Sequence, residues 1–524
     1  MLGDPVAGEE FFDRNEELNT LKRRLELLKE GKRRNLAIIG LRKTGKSSLL
    51  LEFMNQERKR AHFVYVYLPL LNTQAFLDKM IRAVFFTIAH EHDIKLSSVD
   101  STQKIITRLI KICPDSCAFA LDLLEKESNE KFGLILDLYQ VITKELSISL
   151  VVMLDEFQRI VDYDLISAID VLREKIMLQK IYYIIAGSAV RMMNKIVSSS
   201  ESPLYNHFEI LYLKNFSYID ARKFILVKLK GYGIGEVNLN FLVDFAGGNP
   251  FYLDILCFRL RDMAEKTTVT TIPRELIIDA IAHELFGSSG ALYNYFRLYI
   301  EESLEKRGFS TFVSILSAIA SGKTTISRIA RETSIPVTSL PRLLNRLMEL
   351  DLIQKQKTNY LFIDSLMMFW FRYVYLVREE SYIPELNIRL SEFKSQLEQM
   401  IEDFKQELGK AREPQIREIF AKKGFLVSSG ILEDEEFDLI AKKNNGLLLG
   451  ECKTGNINPS VVGKFIKKVK KVEGKEKVKK TILLSFLGIT EKARKLCKKE
   501  GIEIWDLERI NKERKKLGLS QIRI

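Results

Sequence analysis

One eight-residue run constrains this chain more than any other feature. Residues 40–47 read Gly-Leu-Arg-Lys-Thr-Gly-Lys-Ser and follow directly on the apolar segment Asn35-Leu-Ala-Ile-Ile39. The pattern predicts a phosphate-binding loop between a buried strand and a helix, in which backbone N–H groups close around phosphate oxygens. Lys46 is expected to contact the β and γ phosphates, and the Ser47 hydroxyl to ligate Mg²⁺. The predicted nucleotide-binding residues are Gly40, Leu41, Arg42, Lys43, Thr44, Gly45, Lys46, Ser47 and Ser48.

A second motif supplies the acidic half of such a site. The segment Leu150-Val-Val-Met-Leu-Asp-Glu-Phe157 is a hydrophobic strand that ends in two carboxylates. We expect Asp155 to complete the magnesium shell and Glu156 to polarise the attacking water. A fortuitous Gly-rich turn beside an unrelated acidic strand end is the alternative, and the presence of both halves argues against it.

The order of the apolar segments predicts an α/β fold. Residues 62–68 and 180–188 read as further strands, and helical patterns separate them. Strands that alternate with helices favour a parallel sheet, whose ligands lie beyond the carboxyl ends of the strands. Lys46, Asp155, Glu156 and Ser188 all lie at such ends. Ser188 either orients the attacking water and senses the γ phosphate, or is simply a small residue that ends a strand.

Charge is distributed unevenly along the 524 residues. The net charge is +12, and residues 453–524 contain 21 Lys or Arg against 8 Asp or Glu, so the basic excess is C-terminal. An acidic polymer is the obvious partner for such a segment. The alternative is a solvated Lys-rich surface, a composition that also occurs in heat-adapted proteins. The length predicts three or four domains, and an apolar content of 46% suffices to give each a core.

Several protein classes are disfavoured by the sequence. The five cysteines form no Cys-x-x-Cys pair and the histidines no His-Glu-x-x-His motif, which disfavours structural zinc. The N-terminus lacks the features of a secretory signal. The most apolar window, residues 361–377, is interrupted by Asp364 and Arg372 and is too short for a membrane span. We therefore expect a cytoplasmic protein without a membrane segment.

Taken together, the motifs resemble the archaeal ATPase family, a branch of AAA+-related signalling NTPases, over roughly residues 10–375. The segments that carry the resemblance are Phe12-x-Arg14-x-x-Glu17-Leu18, Gly40 to Ser47, Leu154-Asp-Glu-Phe-Gln158, Ala186-Gly-Ser188, Pro203-Leu-Tyr205 and Gly247-Gly-Asn-Pro-Phe-Tyr-Leu253. The resemblance implies that the nucleotide is ATP. It also implies a helical lid in which Pro250 lies against the adenine.

The chain departs from this family at one position. The family commonly continues Pro-Leu-Tyr with Gly-Arg, and that arginine is a candidate charge-neutralising finger, whereas this chain has Asn206 and His207. Such a guanidinium can be worth about 10³ to 10⁵ in rate. We therefore expect slow hydrolysis, with Arg191 or Arg222 as candidate replacements between which the sequence does not decide.

Residues 310–363 predict a winged helix. An amphipathic segment, 324–334, is followed by a turn, a second helix over 338–350 and a hairpin over 352–363. Basic residues such as Arg342 and Lys355 can meet DNA phosphates or base edges. Modules of this type also serve as protein-docking or purely structural units, so the sequence leaves DNA contact open.

A second candidate site lies near the C-terminus. Residues 437–441 and 446–453 read as adjacent strands, which bring Asp438, Glu451 and Lys453 into one motif. Glu451 and Lys453 share a strand face because of the two-residue period, and Cys452 points away. Two carboxylates that hold a second divalent metal, with a lysine that offsets developing charge, suit phosphodiester hydrolysis. A salt-bridged Glu–Lys pair on a strand face is the structural alternative.

With the segment that follows, Gly488-Ile-Thr-Glu-Lys-Ala-Arg-Lys-Leu-Cys497 and onward, residues 409–524 resemble the restriction-endonuclease-like (PD-(D/E)xK) domain often fused to this ATPase family. The resemblance implies that a glutamate of the first helix joins the site. Glu413 fits the family spacing better, and Glu418 is the alternative. A degenerate domain that retains these residues without cleaving remains a further interpretation.

The sequence thus predicts an α/β multidomain protein. Its expected parts are a parallel-sheet P-loop ATPase core at 1–214, a helical lid at 215–300, a winged helix at 301–378, a helical linker at 379–408 and a restriction-endonuclease-like domain at 409–524. ATP and Mg²⁺ are the expected ligands, and DNA is the expected partner with a protein as a further one. The oligomeric state is left open.

Overall fold

A computed structural model of the protein describes residues 4–32, 34–68, 72–304, 308–375, 386–410, 413–433, 435–443, 446–453, 457–474, 476–485, 488–517 and 519. Two compact units can be distinguished. The first comprises Met1–Lys228, Phe245–Arg259 and Glu284–Tyr382, and the second comprises Leu229–Asp244, Leu260–His283 and Ile383–Ile524. Among the described helices, none is both long and apolar enough to span a bilayer.

The first unit is built on a five-stranded sheet in which every pairing is parallel. Its strands are β1 (Asn35–Ile39), β2 (His62–Tyr67), β3 (Leu150–Asp155), β4 (Tyr182–Gly187) and β5 (Phe208–Tyr212). Their order across the sheet is β2-β3-β4-β1-β5. Strands β1, β3 and β4 are fully buried, which is why they read as continuous apolar runs. The predicted parallel α/β sheet is confirmed, although the sequence did not reveal β5.

Helices cover both faces of this sheet. They are α1 (Asn15–Lys29), α2 (Lys46–Glu57), α3 (Thr73–Glu91), α4 (Thr102–Arg108), α5 (Pro114–Leu124), α6 (Ser128–Glu145), α7 (Ala168–Leu178) and α8 (Val190–Ser198). Leu36 and Ile38 of β1 pack in a cluster with α1 and α2. Ala37 and Ile39, which alternate with them, pack on the opposite face with α3 and α6. This alternation follows from the two-residue period of a strand and gives a three-layer core.

A mainly helical region follows the sheet. Its helices are α9 (Tyr218–Lys228), α10 (Glu236–Phe245), α11 (Pro250–Thr267), α12 (Arg274–Phe286) and α13 (Ala291–Ser303), and two short parallel strands are β6 (Gly233–Ile234) and β7 (Thr271–Ile272). The Asn249 side chain accepts hydrogen bonds from the backbone N–H groups of Phe251 and Tyr252. Asn249 therefore caps α11, and Pro250 occupies the first turn, where a proline is tolerated.

Three helices and a hairpin form the next segment of the first unit. They are α14 (Phe309–Ala320), α15 (Ile326–Thr333), α16 (Leu340–Glu349), β8 (Ile353–Gln356) and β9 (Asn359–Phe362), followed by α17 (Ser365–Trp370) and a π-helical turn over Phe371–Tyr375. Strands β8 and β9 pair antiparallel. The predicted helices and hairpin are therefore present, and their assignment as a winged helix stays a prediction.

The C-terminal part of the second unit contains a mixed five-stranded sheet. Its elements are α18 (Leu386–Lys410), α19 (Glu413–Lys422), β10 (Leu426–Leu432), β11 (Glu435–Lys443), β12 (Gly446–Lys453), α20 (Pro459–Glu473), β13 (Val478–Ser485), α21 (Glu491–Lys499), β14 (Glu503–Asp506) and α22 (Leu507–Lys516). The strands lie in chain order; β10, β11 and β12 are antiparallel and β12, β13 and β14 parallel. Leu448 packs toward α19, whereas Leu447 and Leu449 pack toward α20.

Candidate functional site

The phosphate-binding loop lies between β1 and α2, and close packing fixes its first glycine. A Cβ atom at Gly40 would lie 2.3 Å from the carbonyl oxygen of Leu213, so no larger residue fits without movement of the backbone. Gly45, which precedes α2, has a φ of +96°, a conformation that glycine adopts without strain. The loop thus opens its backbone at the N-terminus of α2, where N–H groups lack intrahelical partners and favour anions.

Lys46 lies at the first turn of α2 and is only 5% exposed. Its Nζ atom donates to the carbonyl oxygens of Gly40 and Leu41, at 2.8 Å each. Burial lowers the pKa of Lys46 to about 8, against the opposing attraction of Glu156 and Asp155. A buried cation whose hydrogen-bond partners among the described residues are neutral carbonyls is well suited to exchange them for phosphate oxygens, which carry negative charge.

The carboxyl end of β3 brings Asp155 to the start of α2. The Ser47 hydroxyl lies 2.5 Å from Oδ2 of Asp155, and the Tyr65 hydroxyl donates to the same oxygen at 2.8 Å. Asp155 is completely buried, and this burial, with a smaller contribution from Glu156, raises its pKa although both hydroxyls oppose the shift. The predicted metal ligands Ser47 and Asp155 therefore meet, and Tyr65 is a partner that the sequence did not reveal.

Glu156 follows β3 in a left-handed backbone conformation, with a φ of +56°. Its Oε2 atom accepts hydrogen bonds from the Ser188 hydroxyl at 2.7 Å and from Nε2 of Gln158 at 2.5 Å. Nε2 of Gln158 also lies 3.3 Å from the Ser188 hydroxyl. These three side chains form one network at the ends of β3 and β4, in which the Ser188 hydroxyl contacts Glu156 directly.

Arg14 ties the N-terminal segment to the phosphate loop. Its guanidinium donates to the carbonyl oxygen of Thr44 at 3.1 Å and to that of Lys214 at 2.6 Å. It also lies 3.3 Å from Glu17 and stacks over the ring of Phe216. Arg14 and its partner Glu17, both in the segment Phe12-x-Arg14-x-x-Glu17-Leu18, therefore help to position the phosphate loop.

The loop before α11 is fastened to the chain beyond β5. Gly248 has a φ of +66°, and a Cβ atom at this position would lie 2.6 Å from the carbonyl oxygen of Phe216. The backbone N–H of Phe216 donates a hydrogen bond to the carbonyl oxygen of Gly248. This close approach explains the second glycine of the Gly-Gly-Asn-Pro segment. It places Pro250 and Phe251 beside the phosphate loop, where Nζ of Lys43 lies 4.6 Å from the centre of the Phe251 ring.

A cavity of about 460 Å³ joins these elements. Its walls include residues 42–48 of the phosphate loop, the segment around Phe12, Glu156, Pro250 and Tyr295. Its size falls in the range of ligand pockets. Among the predicted site residues, Gly40, Leu41, Asp155 and Ser188 contact lining residues but are not themselves in the wall. Neither His207 nor the suggested replacements Arg191 and Arg222 belong to the wall, whereas Arg159, which the sequence did not single out, does.

In the second unit, Asp438, Glu451 and Lys453 lie together on β11 and β12. Nζ of Lys453 lies 2.7 Å from Oε1 of Glu451, and Oδ2 of Asp438 accepts a hydrogen bond from the backbone N–H of Cys452 at 2.8 Å. Burial raises the pKa of Asp438. Burial lowers the pKa of Lys453, but the hydrogen bond and charge of Glu451 outweigh it and raise the pKa overall. Cys452 packs on the opposite face of the strand, as the two-residue period predicts.

Lys468 is a further member of this cluster. Its Nζ atom lies 3.4 Å from both carboxylate oxygens of Glu451. Glu451 shares its face of β12 with Leu447 and Leu449, which pack against α20, and Lys468 reaches Glu451 from that helix. Lys468 lies 17 positions after Glu451 along the chain, and no spacing rule for such a cross-element contact could have revealed it.

Helix α19 carries Glu413 and Glu418, the two glutamates suggested as further members of this site. Glu413 begins α19, but its side chain lies outside the described residues. Glu418 pairs with the buried guanidinium of Arg514 at 3.0 Å. Arg417 of the same helix donates to the backbone carbonyl of Asp438 at 2.9 Å, which fastens α19 to the strand that carries the aspartate.

Within the described ranges, no group of three His, Cys, Asp or Glu residues is arranged to hold a metal ion. In both sites the donor set is smaller: Ser47 and Asp155 in the first, and Asp438 and Glu451 in the second. All four contribute oxygen atoms, the ligands that Mg²⁺ prefers, and Mg²⁺ usually keeps several waters or binds substrate phosphates besides one or two carboxylates. Both sets therefore fit a magnesium ion that completes its shell from substrate and solvent.

Known families match two parts of the chain. Residues 11–256 match a family described as ATPase domains predominantly from Archaea. Residues 408–513 match a restriction endonuclease family. A comparison with curated proteins gives no significant match.

Solved structures to which the chain is similar include the following three proteins. The Walker-type ATPase PABY2304 of Pyrococcus abyssi is 20% identical, with 71% of this chain and 99% of that chain covered and a TM-score of 0.49. The Aeropyrum pernix ORC2 protein is 13% identical, with 75% of this chain and 97% of that chain covered and a TM-score of 0.46. The RuvB Holliday junction branch migration motor of Thermotoga maritima is also 13% identical, with 68% of this chain and 94% of that chain covered and a TM-score of 0.35. The two family matches support a P-loop ATPase domain, followed along the chain by a restriction-endonuclease-like domain.

Proposed function

We propose that this protein is an ATP-hydrolysing, Mg²⁺-dependent enzyme whose C-terminal domain binds DNA and cleaves it. The observation that carries the proposal is the cluster of Asp438, Glu451 and Lys453 on two adjacent strands. The cluster lies in the part of the chain that matches the restriction endonuclease family. The ATPase domain alone would not distinguish a nuclease from other ATP-driven proteins.

In the ATPase domain, each side chain of the cavity has a proposed role. Lys46 exchanges its two carbonyl partners for phosphate oxygens, and Pro250 and Phe251 flank the adenine. Ser47 and Asp155 would hold Mg²⁺, which when bound neutralises charge on the phosphates. Glu156 accepts a proton from the attacking water, and Ser188 keeps the Glu156 carboxylate in place.

In the C-terminal domain, Asp438 and Glu451 would hold the metal ion that polarises a phosphodiester. Lys453 already lies 2.7 Å from Glu451, so its ammonium group is held next to the metal-binding carboxylates. There it can offset the negative charge that develops on the phosphate. Lys468 adds a second positive charge beside Glu451.

Two adjacent basic helices are the proposed DNA-binding surface. Their exposed lysines are Lys464, Lys467, Lys470 and Lys471 on α20 and Lys492, Lys495, Lys498 and Lys499 on α21. Contacts to phosphates from such side chains give affinity without sequence readout. Helix α20 also carries Lys468, which contacts Glu451, so the basic surface leads directly to the proposed cleavage site.

The remaining domain assignments are part of the proposal. Residues 1–214 form the ATPase core, 215–300 the lid, 301–378 a winged helix, 379–408 a linker and 409–524 the nuclease-like domain. Since Pro250 and Phe251 line the same cavity as the phosphate loop, ATP contacts both the lid and the core. We propose that nucleotide occupancy therefore repositions the lid and controls the C-terminal domain. Identical small-angle scattering from the empty, ADP-bound and ATP-bound protein would contradict this control.

Cleavage is tested by incubation of plasmid and linear duplex DNA with the purified protein and Mg²⁺ or Mn²⁺, with and without ATP. Asp438→Ala and Lys453→Ala are expected to abolish cleavage. The matched control is Lys442→Ala, a change to a lysine of β11 that pairs with Glu476 at the surface. Strand scission that persists in both site variants would exclude these residues and point to a contaminating nuclease.

A non-cutting switch is the second candidate function. His207 occupies the position at which the resembled family commonly carries an arginine, which favours slow hydrolysis and long-lived ATP-bound states. Glu451 is also engaged by two lysines in this structure. ATP turnover that is lost in Glu156→Gln, without scission under any divalent metal, would favour a switch that recruits DNA or a protein partner.

A further inference from the structure

The ATPase cavity holds more positive charge than its phosphate loop supplies. Its basic lining residues are Arg14, Arg42, Lys43, Lys46, Arg159 and Lys228. Three of these belong to the phosphate loop itself. The other three come from separate parts of the first unit. Each is a candidate to contact the transferred phosphoryl group, provided that its side chain is not already bound elsewhere in the protein.

Arg14 and Lys228 are committed to the protein. Arg14 is 9% exposed, and its guanidinium holds the backbone carbonyls of Thr44 and Lys214. Nζ of Lys228 lies 2.6 Å from Oδ1 of Asp254. Arg42, although it belongs to the loop, is turned toward α13, where it lies over the ring of Tyr299 and 4.0 Å from Glu302.

Arg159 occupies a different position. It lies in the 3₁₀ turn Phe157–Asp162 that follows β3, and its backbone N–H donates to the carbonyl oxygen of Glu156. Its Nη1 atom donates to the carbonyl oxygen of Leu68 at 2.8 Å and lies 3.3 Å from the Tyr67 hydroxyl. These contacts are made with the residue after β2 and with the last residue of β2, the strand that pairs with β3. They anchor one edge of the guanidinium. Among the described contacts, Nε and Nη2 have no hydrogen-bond partner, so both can donate to a ligand.

We propose that Arg159 is a catalytic residue of ATP hydrolysis, which supplies within the same chain the guanidinium that is missing at His207. In the reaction, the water oxygen forms a bond to the γ phosphorus while Glu156 takes the water proton. The bond from the γ phosphorus to the bridging oxygen breaks, and its electron pair stays on the β phosphate of ADP. Charge develops on the oxygens around the γ phosphorus, and a guanidinium on the Glu156 side of the cavity stabilises it.

Because Arg159 belongs to the same chain as the other lining residues, its proposed role does not require a partner chain. Guanidinium groups remain protonated in proteins and present several donors in a fixed plane. An arginine supplied by the same chain accelerates hydrolysis less than one supplied by a partner at the optimal moment, but far more than none. Arg159 therefore predicts faster hydrolysis by the isolated protein than the absence of an arginine at position 207 alone would give.

The test compares Arg159→Ala, Arg159→Gln and Arg159→Lys in the full chain. Glutamine keeps a hydrogen-bond donor for the Leu68 carbonyl but carries no charge. Its effect therefore measures the loss of the positive charge and not the loss of the contact with the end of β2. We expect single-turnover hydrolysis of Mg²⁺·ATP to fall about 10³-fold in the alanine and glutamine variants, with ATP affinity changed less than threefold. Affinity for ADP with aluminium fluoride, which imitates the transition state, is expected to fall in parallel with the rate, and added guanidinium ion to restore part of the alanine variant's activity.

Three further changes complete the experiment. Arg173→Ala, on the exposed side of α7, is the control for a surface arginine. Arg191→Ala and Arg222→Ala test the two residues that the sequence suggested. Unchanged hydrolysis in Arg159→Ala and Arg159→Gln would overturn the proposal, as would a loss of ATP affinity as large as the loss of rate. A 10³-fold loss confined to Arg191→Ala or Arg222→Ala would assign the role to that residue instead.

Discussion

The Ser188 hydroxyl lies 2.7 Å from Oε2 of Glu156 and donates a hydrogen bond to it across the ends of two neighbouring strands. Ser188 is buried and is not part of the cavity wall, whereas Glu156 is. The geometry therefore favours a serine that positions the glutamate over one that touches the γ phosphate. Gln158 reinforces the same carboxylate oxygen.

This arrangement makes a prediction about Ser188→Ala. Loss of one hydrogen bond to a charged group corresponds to about 1.5–3 kcal/mol, so we expect kcat for ATP to fall roughly tenfold or more while ATP affinity is unchanged. Glu156→Gln should lower kcat further, by about 10² to 10⁴. If Ser188 acts only through Glu156, adding Ser188→Ala to Glu156→Gln should have no additional effect. Additive losses in the double variant would contradict the positioning role.

Lys46 leads to a pH prediction. Burial lowers the pKa of Lys46 to about 8, and a bound phosphate favours its protonated form, so nucleotide binding is coupled to proton uptake. We expect ATP affinity to be constant between about pH 7 and 7.5 and to fall by up to about tenfold per pH unit above 8. Calorimetry in buffers of different ionisation enthalpy would measure the proton uptake. The control is Lys46→Met, which should bind ATP weakly and without this pH dependence; a wild-type affinity that stays constant to pH 9.5 would contradict the prediction.

The sequence predicted those strands that show a clear local pattern of apolar residues. Strands β1, β3 and β4 are buried on both sides, so they read as unbroken apolar runs. Strand β5 was missed because it lies at an edge of the sheet, is only partly buried and contains Glu209, whose carboxylate pairs with Arg24. An edge strand need not show the apolar pattern of a central one.

The same distinction separates the site residues. Glu451 and Lys453 were predicted to share one strand face because side chains alternate along a strand with a period of two residues, and in the structure their charged groups lie 2.7 Å apart. Lys468 and Tyr65 reach Glu451 and Asp155 from other elements, and their positions depend on how helix and strand pack. Arg159 lies one residue beyond a recognised motif, yet only the fold shows that its side chain enters the cavity wall.

The contact of Lys468 with Glu451 predicts a selective loss of nuclease activity. Removal of the ammonium group leaves Glu451 with one positive neighbour instead of two, so Lys468→Ala should slow Mg²⁺-dependent DNA cleavage about tenfold or more. Lys442→Ala, which removes a lysine of β11 that pairs with Glu476 and lies outside the two basic helices, should leave the rate unchanged. Initial rates of plasmid nicking measure both. Equal effects of the two changes would show that only the net positive charge of the domain matters.

DNA binding by the basic helices should depend steeply on salt. If the C-terminal segment neutralises about six phosphates, affinity should fall about 10³-fold between 50 and 200 mM salt. Replacement of Lys464 and Lys467 by glutamine should reduce the slope of log affinity against log salt concentration by nearly 2. Lys126→Gln, on the ATPase domain, should leave the slope as it is. Fluorescence anisotropy with a labelled duplex gives these slopes, and a slope near zero would favour a protein partner over DNA.

Asp351 gives a prediction about stability. The residue lies between α16 and β8 and is 8% exposed, and the backbone N–H groups of Val190 and Arg191 at the start of α8 oppose the effect of burial on its pKa. Burial raises its pKa from 3.8 to about 6. Because the folded state then holds a proton that the unfolded state has lost, stability should fall as pH rises from about 4 to 6, and the cost persists above pH 6.

Asp351→Asn keeps a carbonyl oxygen in the side chain but removes the ionisation. We expect it to stabilise the ATPase domain by about 1–2 kcal/mol above pH 6.5, which corresponds to a few degrees in Tm, and to have little effect near pH 4. Differential scanning calorimetry at pH 4, 5.5 and 7.5 measures the difference. Asp170→Asn, a change to a carboxylate in the first turn of α7, serves as the control that should not stabilise the domain at pH 7.5. A lower Tm of Asp351→Asn at pH 7.5 would mean that the charged carboxylate at the start of α8 contributes more than its burial costs.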